Sequence, residues 1–554
     1  MDNFYKRFCK TGFDENGVLN YFEPIVPEGF NFAYDVMDAI AAMEPDKVAM
    51  VWCNEHGEEK IITFAEMKEM TDRAANMFMD HGIQKGDMVM LVLKRHYQYW
   101  FSIYALHKIG AVAIPATSLL TKKDYVYRFA AANVKAVVCT GEGETTEHVE
   151  AAEKEHPSPI VKFIVRGKRD GWIDFDGEIM NASSHLERVH TELTDNMLMY
   201  FTSGTTGNPK MAVHDFSYPI GHIPTAKFWH NVSSHSLHIS VADTGWAKCA
   251  WGKTYGQFIC GAAQFVYDFD KFVPNDLLKM IERHKVTSFC APPTVFRFFI
   301  KQGMENYDLS SLEYVTTAGE ALNAEVFNRF KEYTGLNIME GFGQTESTVM
   351  LANMVNSQSR PGSMGKPVPL YDIDLVDEDG NSVEPGVVGE IVVRTAGKKQ
   401  IGLFKGYYNN PEKTQEAWHD GLYHTGDTAW KDEDGYFWYE GRTDDVIKAS
   451  GYRIGPFEIE SVLMEHPAVM ECAVTGAPHP VRGQVVKATI ILTKNYQPSD
   501  ELVKELQDYV KRQTAPYKYP RIVEFVEELP KTVSGKIKRN DIRRADKKKF
   551  EDSL

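Results

Sequence analysis

Thr202-Ser-Gly-Thr-Thr-Gly-Asn-Pro-Lys210 is the stretch on which the reading of this chain turns. It places four small hydroxyl residues, two glycines and a lysine in one loop. The preceding Met197-Leu-Met-Tyr-Phe201 is apolar and reads as a buried strand. A strand that feeds such a loop suits a polyphosphate. Glycines let backbone N–H groups approach, hydroxyls donate and the lysine supplies charge. The loop is not the ordinary P-loop. No glycine stands directly before Lys210, and Met211 replaces the Ser or Thr that would hold magnesium. Taken alone the segment also fits a plain surface loop, so its neighbours must decide.

Around the loop, helical and strand patterns alternate, which predicts α/β architecture. Ala65 to His81 has helical apolar spacing closed by Gly82, and Met88 to Val92 reads as a strand. A helix is predicted over Tyr97 to Ile109 and a strand over Ala111 to Ile114. The alternation returns in the helix Asp276 to His284, the strand Thr287 to Ala291, the helix Ala324 to Tyr333 and the strand Asn337 to Glu340. After about residue 365 the segments become short and β-rich, as in Ile373 to Val376, Gly389 to Arg394 and Tyr436 to Tyr439. A compact α/β unit follows from about Asp445, with Ser499 as the cap of a helix reaching Gln513. The polar Arg442-Thr-Asp-Asp445 marks a boundary, giving domains of 1–443 and 444–554.

The 554 residues suffice for two or more domains. A hydrophobic share of 43% is that of a soluble globular enzyme. No apolar run is long enough to span a bilayer, and the N-terminus lacks the apolar core of a secretory signal. A cytoplasmic protein is therefore the expectation. A net charge of −16 disfavours general nucleic-acid binding. Against that balance, Lys531 to Lys549 carries nine Lys/Arg and two acids, either a solvated tail or a patch that meets an anion. Seven scattered cysteines with no C-x-x-C pair argue against a disulfide scaffold or a zinc site.

Further segments belong with the first loop: Thr317-Ala-Gly-Glu-Ala-Leu322, Gly341-Phe-Gly-Gln-Thr-Glu346, Tyr423-His-Thr-Gly-Asp427, Gly441 to Gly455, and Pro530-Lys-Thr-Val-Ser-Gly-Lys536. Together they resemble the adenylate-forming (AMP-binding) superfamily of acyl-CoA synthetases, peptide-synthetase adenylation domains and firefly luciferase. The motifs occur in the family order from Thr63-Phe64 to about Arg543. Asp243-Thr-Gly-Trp246 and the closing lysine segment resemble the short- and medium-chain acyl-CoA synthetase branch. The implied fold is a large N-terminal domain of α/β subdomains plus a β-rich subdomain, followed by a small mobile α+β domain.

The resemblance implies an acid–thiol ligase with a place in fatty acid metabolism. A carboxylate attacks the α-phosphate of ATP to give acyl-AMP and pyrophosphate, and CoA then displaces AMP. It implies a phosphate loop of Thr202, Ser203, Gly204, Thr205, Thr206, Gly207 and Lys210. Gly319, Glu320 and Ala321 would border the adenine, and Gly341, Phe342, Gly343 and Gln344 would line the nucleotide. Thr345 would donate to the α-phosphate and Glu346 would hold Mg²⁺. Asp427 would bind the ribose hydroxyls, with Arg442 as a second contact. Lys536 would meet the carboxylate and α-phosphate during adenylation. Asp444 falls at the hinge, and Lys448 would be presented in the second conformation. Ser450, Gly451, Tyr452 and Arg453 would border CoA, with Arg453 also reaching a nucleotide phosphate.

For the acyl pocket the resemblance points to Trp246, Lys248, Trp251, Tyr255, Gly256 and Gly343. Gly343 stands where acetate-specific relatives carry a tryptophan, so the expected acids run from propionate to octanoate size, branched or aromatic. His214, His222 and His230 read as packing or loop residues. Competing readings are an adenylating enzyme loading a carrier protein in trans, an oxygen-dependent luciferase-like relative, or a non-catalytic nucleotide- or CoA-binding protein. The expected partners are ATP, CoA and a small carboxylic acid, without nucleic acid or a membrane span. The oligomeric state stays open, a homodimer being one arrangement.

Overall fold

The computed structural model describes residues 1–202, 208–320, 322–396, 400–449, 452–480, 482–532 and 536–551, with the backbone alone at Tyr452, Arg453 and Glu551. The chain gathers into two compact units. One holds Met1–Thr202, Lys210–Asp372 and Gly397–Gln415, and the other holds Ile373–Ala396 and Glu416–Leu554.

The first unit is built on two sheets. The 8-stranded sheet runs Gly406–Tyr407, Lys210–Asp215, Asn196–Thr202, Val112–Pro115, Met88–Val92, Ala136–Thr140, Val161–Val165, Ile173–Asp174. Its strands are parallel from Asn196–Thr202 onward and antiparallel at the Lys210 side. Val89 to Val92 and Val137 to Cys139 are wholly buried, as continuous apolar strands of a parallel sheet must be. The second sheet runs from Ser363–Pro367 through Ile338–Phe342, Tyr314–Thr317, Ser288–Cys290, Leu237–Ser240, Ala263–Asp268 and Val48–Asn54 to Glu59–Thr63.

Helices fill the faces. Phe64–Asp80 starts where the Thr63 hydroxyl accepts from Glu66 N at 3.1 Å, a side-chain cap. Pro274–His284 opens on proline and closes on Lys285 in the left-handed region. Gln98–Ile109 is buried along its whole length. Its one interior ammonium, Lys108, is therefore paired, to Asp72 at 2.6 Å and Asp38 at 2.8 Å. Two of the π-wound segments, Pro224–Trp229 and Ala250–Thr254, fall where the sequence shows no period. Such windings concentrate at functional sites.

In the second unit, an antiparallel sheet orders Ile373–Val376, Gly389–Arg394, Leu422–Lys431 and Phe437–Arg442. A 5-stranded sheet follows, with Gly483–Leu492 beside Val469–His479 and Ile522–Phe525. Helices Pro456–Glu465, Asp500–Gln513 and Arg539–Glu551 belong to it. Ser499 caps the second of these, accepting from Leu502 N at 3.1 Å, as expected. All seven cysteines are buried and free.

Candidate active site

In the first unit the two strands that flank the expected phosphate loop pair antiparallel, with Thr202 opposite Lys210. This register holds Lys210 at the start of its strand, directly across from Thr202. Ser203, Gly204, Thr205, Thr206 and Gly207 lie outside the described residues. The Lys210 ammonium stands 4.4 Å over the Tyr407 ring and 3.5 Å from its hydroxyl. That hydroxyl donates to Glu346 Oε1 at 2.8 Å. Tyr407 thus holds the expected phosphate lysine and the expected metal carboxylate in one assembly. Reading the sequence missed it, because one tyrosine of Gly406-Tyr-Tyr408 carries no motif.

Glu346 and Thr345 sit on a turn tied by Gln344 N to Ser347 Oγ at 3.0 Å and by Ser347 N to Gln344 O at 3.2 Å. The Thr345 carbonyl is 2.8 Å from His214 Nε2, so His214 positions the turn. Burial pushes the His214 pKa down to about 4 and keeps the ring neutral. Among the described residues no three His, Cys, Asp or Glu side chains converge as a metal site. The single carboxylate of Glu346 fits Mg²⁺, which keeps waters and binds through one or two carboxylates plus substrate phosphates.

Gly319 has φ of +100°, a conformation that favours glycine. The Lys248 ammonium bonds the Ala318 carbonyl just before it. Glu320 accepts from Thr294 Oγ1 at 2.8 Å, and Ala321 is outside the described residues. Beyond this loop, Leu322 N reaches Glu340 Oε1 at 3.4 Å. Glu340 is buried, its second oxygen has no hydrogen-bond partner among the described residues, and desolvation raises its pKa to about 8. Sequence reading missed Glu340 as well, since it looks like any strand residue.

Gly343 does not leave open space. A Cβ there would lie 2.7 Å from Trp251 Cζ2 and 2.5 Å from the Thr348 carbonyl. The Trp251 indole, anchored to the Ser347 carbonyl at 3.2 Å, fills the room that the missing side chain vacates. Tyr255 is fully buried and its hydroxyl pairs with His107 Nε2 at 2.9 Å. Gly256 lets the helix approach His222, whose carbonyl a Cβ would strike. Trp246 is half-buried on the turn that Asp243 caps through Gly245 N at 2.9 Å.

In the second unit, Asp427 and Arg442 face each other in the strand ladder. Asp427 Oδ1 accepts from the Tyr439 hydroxyl at 3.0 Å, and Oδ2 is 3.7 Å from Arg442. The turn before Asp427 is fixed by Gly426 at φ +69°, whose N–H donates to Glu390 Oε1 at 2.9 Å. The other Glu390 oxygen meets His424 Nδ1 at 3.0 Å. Arg442 Nε lies 3.5 Å from Asp444, and the buried Asp445 beside it binds Arg543 at 2.6 Å. Lys448 is exposed on a strand whose N–H bonds Gln484. Ser450 and Gly451, and the side chains of Tyr452 and Arg453, are outside the described residues. Lys536 is exposed at the base of a turn closed by Thr532 N to Lys536 O at 2.8 Å and Lys536 N to Thr532 Oγ1 at 3.1 Å.

Much of the basic run from Lys531 is spent inside this unit. Lys531 pairs with Glu471, Arg539 with Glu460, Arg543 with Asp445 and Lys549 with Glu524. The pairs from Arg539, Arg543 and Lys549 dock the last helix.

Residues 37–408 match the model of the AMP-binding enzyme family, and residues 458–536 match its C-terminal domain. The chain belongs to the AMP-binding enzyme family. It is 41% identical to the acyl-coenzyme A synthetase ACSM4, mitochondrial, of Rattus norvegicus, over 96% of this chain and 93% of that protein. Against ACSM3, mitochondrial, of Homo sapiens, it is 39% identical over 94% and 90%. The crystal structure of the anthranilate CoA ligase AuaEII in complex with anthranoyl-AMP superposes with a TM-score of 0.85, at 29% identity and over 96% and 99% of the two chains. These relatives correct one expectation. Both curated enzymes carry a mitochondrial designation, which overturns the cytoplasmic placement. Among the described residues no helix is long and apolar enough to cross a membrane.

Proposed function

We propose that the protein is an AMP-forming acyl-CoA synthetase for a short- or medium-chain, branched or aromatic carboxylic acid. The Lys210–Tyr407–Glu346 assembly carries the reading, because it joins a cation and a metal-seeking carboxylate at the base of a phosphate loop. Near-full-length similarity to acyl-coenzyme A synthetases supports the acceptor.

Lys210 and the loop hold the β- and γ-phosphates of ATP, and Thr345 donates to the α-phosphate. Glu346 holds Mg²⁺, which supplies charge neutralisation on the phosphates when bound. Glu340 offers its second carboxyl oxygen to a polar edge of the adenine, beside Gly319 and Glu320. Asp427 takes the ribose hydroxyls, oriented by Tyr439 and by the Glu390-anchored turn. Lys536 meets the negative charge that builds between carboxylate and α-phosphorus. Its exposure suits a residue that enters for one step and leaves for the next. Residues 1–443 form the adenylation domain and 444–554 the mobile domain, turning at Asp444. Lys448 and the Ser450–Arg453 loop then serve the CoA step. Lys248 and Trp251 bound the acyl group, and Trp251 sets its length.

The test is pyrophosphate release with ATP and Mg²⁺ over a panel of acids, with and without CoA. CoA-dependent turnover on acids between propionate and octanoate, or on benzoate, is expected. The Lys536→Ala variant should lose acyl-AMP formation by at least about a hundredfold. It should still convert supplied acyl-AMP to acyl-CoA. Full acyl-AMP formation in that variant would overturn the role.

A further inference from the structure

The segment after Lys210 buries more polar groups than the proposed chemistry uses. His214, Tyr218, His222, Thr225 and Tyr255 are all within 1% of fully buried. Their rings form one continuous shell. His214 stacks on Tyr218 at 3.8 Å, Tyr218 meets His222 edge-on at 4.6 Å, and Tyr255 lies 5.9 Å from His222 and 6.0 Å from Tyr218. Thr225 follows His222 by three residues.

Several of these groups lack a partner. Both ring nitrogens of His222, His214 Nδ1 and Thr225 Oγ1 have no hydrogen bond among the described residues. The Tyr218 hydroxyl reaches toward the Trp251 indole without a hydrogen bond of good geometry. Folded proteins leave few buried polar atoms unsatisfied, so such a concentration calls for something that completes it. Desolvation holds both imidazoles well below their ordinary pKa, so each is neutral, with one donor and one acceptor nitrogen.

The shell adjoins residues expected to line the acyl pocket. His214 bonds Thr345, Tyr218 abuts Trp251, Trp251 covers Gly343, and the His222 carbonyl rests against Gly256. We propose that this shell is the far wall of the acyl pocket, and that the substrate acid carries a neutral hydrogen-bonding group opposite its carboxylate. A hydroxyl, arylamino or carbonyl group on a ring or short chain meets that description. A second carboxylate or an ammonium does not, because the neutral shell offers no countercharge. This inference rests on the acyl-CoA synthetase reading and narrows its substrate.

The experiment compares acids of matched size, by CoA-dependent pyrophosphate release and by mass detection of the acyl-CoA. Benzoate is set against meta- and para-hydroxybenzoate, and pentanoate against its terminally hydroxylated and keto forms. At least one polar acid should exceed its apolar parent by about tenfold or more in kcat/KM, since sites built to hydrogen-bond reject analogues that cannot. In Tyr218→Phe and Thr225→Val, which delete one hydroxyl each, that ratio should fall toward unity while thermal melts stay near the parent protein. Parent acids used as well as their polar partners, as a shell holding water alone would give, overturn the inference and leave the synthetase reading intact. A ratio unchanged in both variants also overturns it. No pyrophosphate release from any acid sinks both.

Discussion

At the scale of single residues, Glu340 and the Gly343–Trp251 contact make the sharpest claims. Glu340 has a folded pKa near 8 against an ordinary 4.5. Between those values the folded chain keeps a proton that the unfolded chain has released. Its contribution to stability is therefore largest in acid and declines as pH rises from about 4.5 to about 8, by up to about 1.4 kcal/mol per pH unit. Glu340→Gln should remove that decline, seen as a flatter difference curve in urea denaturation across this window. Gly343→Ala drives a methyl into Trp251 and should cost about 1–3 kcal/mol of stability. Combining it with Trp251→Ala should be strongly non-additive, with a coupling of at least about 1 kcal/mol. Additive effects would show that the indole does not set this wall.

At the scale of elements, the buried helix Gln98–Ile109 depends on Lys108. Lys108→Ala takes this cation from Asp38 and leaves Asp72 with Lys68 alone, and should destabilise by about 1–3 kcal/mol in chemical denaturation. The strand Gly389–Arg394 holds the turn proposed to meet the ribose through Glu390. Glu390→Ala should weaken ATP binding by roughly tenfold or more, the cost of a lost charge-assisted hydrogen bond. Glu390→Gln, which retains an acceptor for Gly426, should restore most of it. Elements of this kind differ in how far sequence reveals them. Met88–Val92 and Ala324–Thr334 follow directly from an apolar run and from helical spacing closed by Gly335. Pro224–Trp229 and Ala250–Thr254 do not, because π winding matches neither periodicity.

For the whole molecule, the proposed turn at Asp444 predicts separable half-reactions. Asp444→Pro fixes φ and stiffens the passage between the strands ending at Arg442 and beginning at Ile447. Acyl-AMP formation and thioester formation, assayed separately, should then diverge, one being kept and the other lost. Equal loss or full retention of both would remove the hinge from the scheme. The ion pairs from Asp445 and Glu460 to Arg539 and Arg543 tie the start of this region to the last helix across some eighty to a hundred residues of sequence.

The motif loops, the alternation of helix and strand and the family of the chain were set by local sequence, because backbone approach, hydroxyl donors and apolar period are properties of neighbouring residues. What tertiary structure alone decided are contacts between segments far apart in sequence. Tyr407 bridging Lys210 to Glu346, Trp251 occupying the place Gly343 vacates, and the unsatisfied shell around His222 each require two or more distant elements to meet. A glycine reads as space in a sequence. Only packing decides whether that space is left open or filled from across the fold.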